Sequence, residues 1–218
     1  MIRFEYKKLT VLLALLLVVY SQNITAQVIT GAEQLPKYLP MLKGKKVGMV
    51  VNQTSQINGV HLVDTLKKLK VNITSIFAPE HGFRGDHSAG AKVKSNIDVK
   101  TGLPVISLYG KQYKPTPEVM KTLDIVVFDI QDVGARFYTY ISTLHYVMEA
   151  CAEHKKTLIV LDRPNPNGFY VDGPVLDLKF KSFVGMHPVP VVHGLTVGEY
   201  AQMINGEQWL KDSIQCKL

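Results

Sequence analysis

Apolar residues fall along the chain in two rhythms. Nearly unbroken short runs occur at 47–51, 73–78, 105–108, 125–130 and 158–161. Between them, apolar positions recur at steps of three and four: Leu62, Leu66 and Leu69, then Ile141, Leu144, Met148 and Cys151 in a stretch that begins at Phe137. The first rhythm predicts strands buried on both faces, and the second predicts the helices that cover them. Thr116 to Leu123 adds a short helix with Pro117 in its first turn, and Thr196 with Glu199 forms a capping box that starts a last helix. Strands alternating with helices imply an α/β fold: a Rossmann-like, doubly wound, mostly parallel sheet with helices on both faces.

Two stretches break the alternation. The connection from Pro79 to Pro104 is long, rich in Gly, Lys and Ser, and without periodicity, as functional loops often are. The region after Pro164 is irregular and holds Pro166, Pro174, Pro188 and Pro190. At the far end, Cys216-Lys217-Leu218 looks like the start of a further strand. The reading is therefore of the N-terminal domain, residues 27–218, of a longer protein whose C-terminal domain is missing.

Residues 1–26 belong to a different kind of segment. Arg3, Lys7 and Lys8 precede an apolar run from Val11 to Val19, and a polar stretch ends in Ile24-Thr25-Ala26. This is the layout of a cleaved signal peptide, with Gln27 as the new terminus. The run is shorter than the roughly 20 residues of a comfortable membrane span, so no stable membrane anchor is expected after cleavage. The expected location is exported, periplasmic or extracellular.

Composition narrows the partners. The chain is 46% hydrophobic and 20% charged, which is ordinary for a globular domain. Arg3, Lys7 and Lys8 against Glu5 contribute +2 of the +7 formal charge. No Lys/Arg run reaches five, so nucleic acid is not an expected partner, while an anionic small molecule or acidic polymer fits. Only two cysteines occur, and Cys151 lies on a helical apolar stripe, so it reads as a buried free thiol.

The chemistry gathers where strands end, since ligands of open α/β sheets bind there. The first strand runs into Asn52-Gln53-Thr54 and the second into Pro79-Glu80-His81-Gly82-Phe83-Arg84. The third runs into Tyr109-Gly110, the fourth into Gln131, Asp132 and Arg136, and the fifth into Asp162, Arg163 and Asn165. Individually, each has a plain structural alternative. Asn52 reads equally as a turn residue, Glu80 as a loop cap, and His81 as a ligand, an orienting partner or a surface imidazole. Asp129 reads as a buried structural acid, Asp132 and Arg136 as a mutual pair, and Tyr138 and Tyr140 as core or rim. His193 divides evenly between the two readings. Nucleotide phosphate loops, a zinc motif and a serine elbow are all missing from the sequence, so no cofactor or metal is expected. Carboxylates, amides, arginines and aromatics at one edge are the equipment of sugar chemistry.

Six stretches carry a specific resemblance: GKKVGMVVNQTS (44–55), FAPEHGFRG (77–85), PVISLYG (104–110), LDIVVFDIQDVGARFYTYISTL (123–144), LDRPNPNG (161–168) and VHGLTVGEYA (192–201). In these the chain resembles the exo-β-N-acetylmuramidase (NamZ-like) family of bacterial glycoside hydrolases. The resemblance implies two-domain proteins with a Rossmann-like N-terminal part. It implies release of N-acetylmuramic acid from the non-reducing ends of peptidoglycan fragments, with muramic-acid-containing sugars as partners. It makes Glu80 the candidate catalytic acid. A second carboxylate, Asp132 or Asp162, would serve as nucleophile or base, and His81 completes the catalytic candidates. Arg84, Arg136 and Arg163 are the candidates for the lactyl carboxylate, and Asn52, Gln131 and Asn165 for hydroxyls and the acetamido group. Tyr138 and His193 complete the substrate-binding candidates. The rival readings are a non-catalytic sugar- or peptidoglycan-binding module and a hydrolase using a metal held by Glu80, His81 and Asp132.

Overall fold

Eight strands and five α-helices make up the described part of the protein, a computed structural model covering residues 10–11, 28–85 and 95–218. Apart from Thr10 and Val11, the expected leader and its cleavage site lie outside the described residues. The strands are β1 (Val47–Val51), β2 (Gln56–Ile57), β3 (Val60–His61), β4 (Ile73–Ala78), β5 (Asn96–Ile97), β6 (Pro104–Ser107), β7 (Ile125–Asp129) and β8 (Thr157–Val160). The α-helices are α1 (Leu35–Leu42), α2 (Leu62–Lys68), α3 (Pro117–Lys121), α4 (Tyr140–Glu153) and α5 (Val197–Gly206). No helix among the described residues is long and apolar enough to cross a membrane.

Six strands form one sheet in the order β5-β6-β4-β1-β7-β8, parallel except for the edge strand β5. The order runs outward from β1 to β6 on one side and through β7 to β8 on the other, as in a Rossmann fold. Direction of winding therefore reverses between β1 and β7. The central runs are continuously apolar because both faces are covered. Val50, Phe77 and Phe128 enter a core with Leu144 and Met148 of α4 and Tyr200 of α5. Val47, Met49, Val51 and Val127 enter a second core with Leu42 of α1 and Leu62 and Leu66 of α2. Gly48 sits where a Cβ would come within 2.7 Å of Leu123 Cδ1, so a larger residue there would have to displace the Leu123 side chain that packs over β1.

Two predicted boundaries move. The stretch from Phe137 enters its helix only at Tyr140. Gly134, at φ 78°, starts a turn that is closed by Tyr138 N–H donating to Ala135 O at 3.0 Å, and this leaves Phe137 and Tyr138 exposed. The long connection after Pro79 contains β5, and its residues 86–94 lie outside the described set. Helix α1 was not visible as a periodic run because its eight residues include Pro36 and Pro40. Pro36 stands in the first turn, where its missing N–H costs nothing. The capping box at Thr196 is present, with Thr196 N–H donating to Glu199 Oε2 at 2.8 Å and Glu199 N–H to Thr196 Oγ1 at 3.2 Å. Lys217 bridges to Thr157 in parallel, beside β8.

Candidate active site

At the reversal point, the loops leaving β1 and β7 open a crevice over the carboxyl ends of the strands. Asn52 stands at the exit of β1. Its Oδ1 accepts from Thr54 N–H at 2.9 Å and from Thr54 Oγ1 at 2.6 Å. A backbone N–H can only donate, which settles the amide's orientation and turns Nδ2 away, buried and without a hydrogen-bond partner. Thr54 Oγ1 accepts from Gln131 N–H at 2.9 Å, and the Ser55 hydroxyl donates to the Asp129 carbonyl. The two loops are thereby tied together.

Glu80 leaves β4 in a turn closed by Gly82 N–H donating to Pro79 O at 3.1 Å. His81 occupies the left-handed region at φ 69°, a conformation that costs a non-glycine residue about 1 kcal/mol and holds the turn in one shape. Glu80 Oε2 accepts from Thr139 Oγ1 at 2.8 Å. The Tyr109 phenol, just past β6, feels the Glu80 carboxylate, and burial followed by that carboxylate pushes the phenol's pKa up.

Tyr140, the first residue of α4, links the two sides. Burial is the main reason its phenol stays protonated, and the charges of Glu80 and Asp132 add to it. The Asn52 and Gln53 side chains approach the same phenol and oppose the shift. Asp132 Oδ2 accepts from Gly134 N–H at 2.7 Å and lies 3.6 Å from His193 Nε2, while Asp132 Oδ1 has no partner. His193 Nδ1 accepts from Leu195 N–H at 3.3 Å, which puts the neutral ring's proton on Nε2, facing Asp132. Asn52, Asp132 and His193 are at most 5% exposed. Among the described residues, five buried side-chain polar atoms lack a hydrogen-bond partner. Four of them, Asn52 Nδ2, Gln53 Oε1, Asp132 Oδ1 and His193 Nε2, belong to this crevice, where unmet polar groups mark space for a ligand. A cavity of about 390 Å³ opens beside Gln53, lined also by Gln56, His61, Asp64 and Arg84.

The structure puts the remaining sequence candidates elsewhere or to other uses. Arg84 forks onto Asp98 at 2.9 Å and reaches Asp64 at 3.2 Å, holding the Asp98 carboxyl well below its usual range. Arg163 is buried against Asp129 in a bidentate pair at 2.6 and 3.0 Å. Burial pushes the Asp129 carboxyl up while Arg163 opposes it, and the two-bond geometry is that of an ion pair. Arg136 Nη1 donates to the carbonyls of Pro174 and Val189 and makes no pair with Asp132. Asp162 caps α5, accepting from Thr196 Oγ1 at 2.7 Å and Gly198 N–H at 2.8 Å. Gln131 Nε2 donates to the Asp132 and Pro164 carbonyls, and Asn165 Nδ2 donates to the Leu195 carbonyl. Tyr138 lies exposed against Phe137. Among the described residues no three His, Cys, Asp or Glu side chains come together as a metal-holding group.

Thr139 escaped the sequence reading, because it fell inside a presumed helix. Tyr109 was visible only as a residue after a strand, and Tyr140 only as core or rim. Nothing in one sequence reports that a threonine hydroxyl will meet a carboxylate 59 positions away.

The sequence model of the family described as exo-beta-N-acetylmuramidase NamZ, N-terminal, matches residues 47–218. The chain is 49% identical over 196 residues to peptidoglycan beta-N-acetylmuramidase NamZ from Bacillus subtilis, covering 86% of this chain and 47% of that protein. Two crystal structures of DUF1343 family proteins from Bacteroides fragilis share the fold. One superimposes at a TM-score of 0.80 with 49% identity, covering 88% of this chain and 50% of that one. The other reaches 0.79 with 47% identity, covering 87% and 48%. The chain thus spans about half the length of the relatives it matches.

Proposed function

The chain belongs to the exo-beta-N-acetylmuramidase NamZ family, and from that membership we propose an exo-acting glycoside hydrolase that releases N-acetylmuramic acid from the non-reducing ends of peptidoglycan fragments. The observation that carries the reading is the 49% identity to a peptidoglycan beta-N-acetylmuramidase over 86% of this chain, and beside it stand the Glu80 and Asp132 carboxylates on loops at the same strand edge, with four buried polar atoms that have no partner. Glycoside hydrolysis uses one carboxyl group to protonate the leaving oxygen and usually a second as nucleophile or base. In this reading Glu80 is the acid, steered by Thr139 and Tyr109. Asp132 is the second carboxylate: Gly134 N–H holds its Oδ2, His193 Nε2 faces that oxygen from 3.6 Å, and Oδ1 is left to meet water or sugar.

An N-acetyl group presents one acceptor and one donor. Asn52 Nδ2 and Gln53 Oε1 are a buried donor and a buried acceptor that lack partners, the complement such a group requires. The lactyl carboxylate calls for a cation. Among the three candidate arginines, Arg84 and Arg163 already face carboxylates, whereas Arg136 is held by neutral carbonyls and keeps its charge. Export belongs to this reading too, since peptidoglycan lies outside the cytoplasmic membrane. It rests on the basic, apolar and small-residue pattern of residues 1–26.

The test is hydrolysis of a chromogenic β-N-acetylmuraminide, with the β-N-acetylglucosaminide as control, by the gene-length protein and its Glu80→Gln variant. The muraminide is expected to be cleaved selectively, and the variant to lose about a thousandfold in turnover while still binding the product. Failure of the gene-length protein to cleave the muraminide sinks the assignment. Full activity in Glu80→Gln removes Glu80 from the acid's role.

A further inference from the structure

Four aromatic rings cluster near the exit of β6. Between ring centroids, Phe183 lies 4.1 Å from Tyr113, 6.1 Å from Tyr109 and 6.2 Å from Tyr146. The Tyr146 ring is inclined by 19° to Phe183 and by 20° to Tyr113. All four rings are half-buried and, among the described residues, Tyr113, Tyr146 and Phe183 join neither apolar core. The cluster is held from several sides. Tyr109 N–H donates to Ser107 Oγ at 3.2 Å, at the end of β6. Tyr113 precedes Lys114, whose Nζ pairs on α4 with Glu149 at 2.7 Å and Glu153 at 2.6 Å. Tyr146 stands on the same helix, two turns beyond the Thr139 that meets Glu80. Phe183 lies in a tight turn closed by Ser182 N–H donating to Gly185 O at 2.9 Å and Gly185 N–H to Ser182 O at 3.2 Å.

The sheet fixes where this cluster stands relative to the carboxylates. Ala78 and Ser107 are partners in the β4–β6 register, and Leu108 N–H donates to Ala78 O at 2.8 Å. Glu80 and Tyr109, each two residues past that pair, therefore leave neighbouring strands side by side. Along the strand order β6-β4-β1-β7, the edge presents the aromatic cluster, then Glu80, then Asn52 and Gln53, then Asp132. Three strand spacings separate its ends, roughly 14 Å, which is room for two sugar rings. Resting on the muramidase reading, we propose that Tyr113, Phe183 and Tyr146 form the platform on which the leaving sugar, an uncharged N-acetylglucosamine unit, stacks during cleavage. The acid protonates the oxygen that joins the two sugars, so it stands between them. With the acetamido contacts and the second carboxylate on the β1 and β7 side of Glu80, the β6 side belongs to the leaving group. The chemistry of the two surfaces agrees. A β-linked glucosamine ring carries its substituents equatorially and offers a flat face of C–H bonds. The faces of aromatic rings are electron-rich, which suits such a face and disfavours a lactyl carboxylate. Rings already fixed in place make that contact at a low cost in entropy.

The gene-length protein and its Phe183→Ala, Tyr113→Leu and Tyr113→Phe variants are compared on the disaccharide N-acetylmuramyl-β-1,4-N-acetylglucosamine, with free N-acetylmuramic acid as a competing inhibitor. Phe183→Ala and Tyr113→Leu should each lower kcat/KM for the disaccharide by about tenfold. The inhibition constant of N-acetylmuramic acid, which fills only the other side of Glu80, should change by less than about twofold. Tyr113→Phe keeps the ring and should keep most of the activity. Should one of the two truncating variants not fold, the other decides. A disaccharide kcat/KM that neither truncation lowers overturns the platform and leaves the proposed function standing. A rise in the inhibition constant as large as the loss in kcat/KM also overturns it, and assigns the rings to packing. A wild-type protein that cleaves no muraminide removes the proposed function, and the platform with it.

Discussion

Where the end of β7 meets the loop leaving β8, charged groups are matched. Asp129 is locked by Arg163 through two hydrogen bonds, and Asp162 is filled by the N-terminus of α5 and Thr196. A few residues away, around the exits of β1 and β7, Asn52, Gln53, Asp132 and His193 each keep a buried polar atom with no partner. Both regions are made of Asp, Arg, Asn and His on loops after parallel strands. They differ in whether the protein itself completes the hydrogen bonds. A buried polar atom left unmet costs about 1–3 kcal/mol, so retaining four in one crevice opposes stability and favours a ligand that supplies what is missing.

Substitutions on the two sides should therefore have opposite signatures. Arg163→Met leaves the Asp129 carboxylate buried and alone, and is expected to cost about 3–5 kcal/mol of stability, read as a lower urea midpoint. Asp132→Asn is nearly isosteric and removes a charge whose Oδ1 no protein group uses. It is expected to lower muraminide turnover by about 100- to 1000-fold with a stability change under about 1 kcal/mol. If Asp132→Asn mainly destabilises, the crevice is structural and the contrast collapses.

The next effect is smaller and concerns steering. Thr139→Val removes the hydroxyl that meets Glu80 and should reduce kcat by about 10- to 100-fold with little change in KM. Thr139→Ser should restore most of it, because the hydroxyl rather than the methyl makes the bond. Equal losses in both variants would assign Thr139 to packing alone.

The last effect belongs to the matched interior and is read in stability alone. His187 Nε2 meets His145 Nδ1 at 2.9 Å, and His187 Nδ1 meets the Tyr200 hydroxyl at 3.1 Å. Burial, helped by Lys181 and Lys114, lowers the pKa of His145 to about 4, with Glu149 opposing. Burial, then His145 and Lys181, lowers that of His187 to about 3. An ordinary histidine titrates near 6.5. Between that value and the depressed ones, the unfolded chain binds protons that the folded one refuses, so stability falls as pH is lowered through this window. The slope is at most about 1.4 kcal/mol per pH unit for each histidine. Urea titrations at pH 7 and pH 5 check it, and His145→Gln should flatten the difference.

Much of the fold was legible because period and burial are tied. A parallel strand covered on both faces must be apolar at successive positions, as Met49, Val50 and Val51 and Ile125, Val126, Val127 and Phe128 are, and a covering helix must be apolar every three or four. The set of loops that carries the chemistry was legible for the same reason, since strand ends follow from strand positions. Which members of that set meet was not. Arg163 and Arg136 stand in similar sequence surroundings, each just past a parallel strand, yet one neutralises Asp129 and the other grips two carbonyls.

By itself, then, the sequence determined the strand–helix alternation, the edge where polar groups collect, and Glu80 in a rigid turn. Local periodicity and turn chemistry act over a few residues and can be read in one dimension. The tertiary structure decided that Thr139 would meet Glu80, that Asp162 would be used up capping α5 while Asp132 kept an unpartnered Oδ1, and that Arg163 would lock Asp129. Those contacts join residues dozens of positions apart, and they exist only because packing two cores against one twisted sheet brings the loops to a common place.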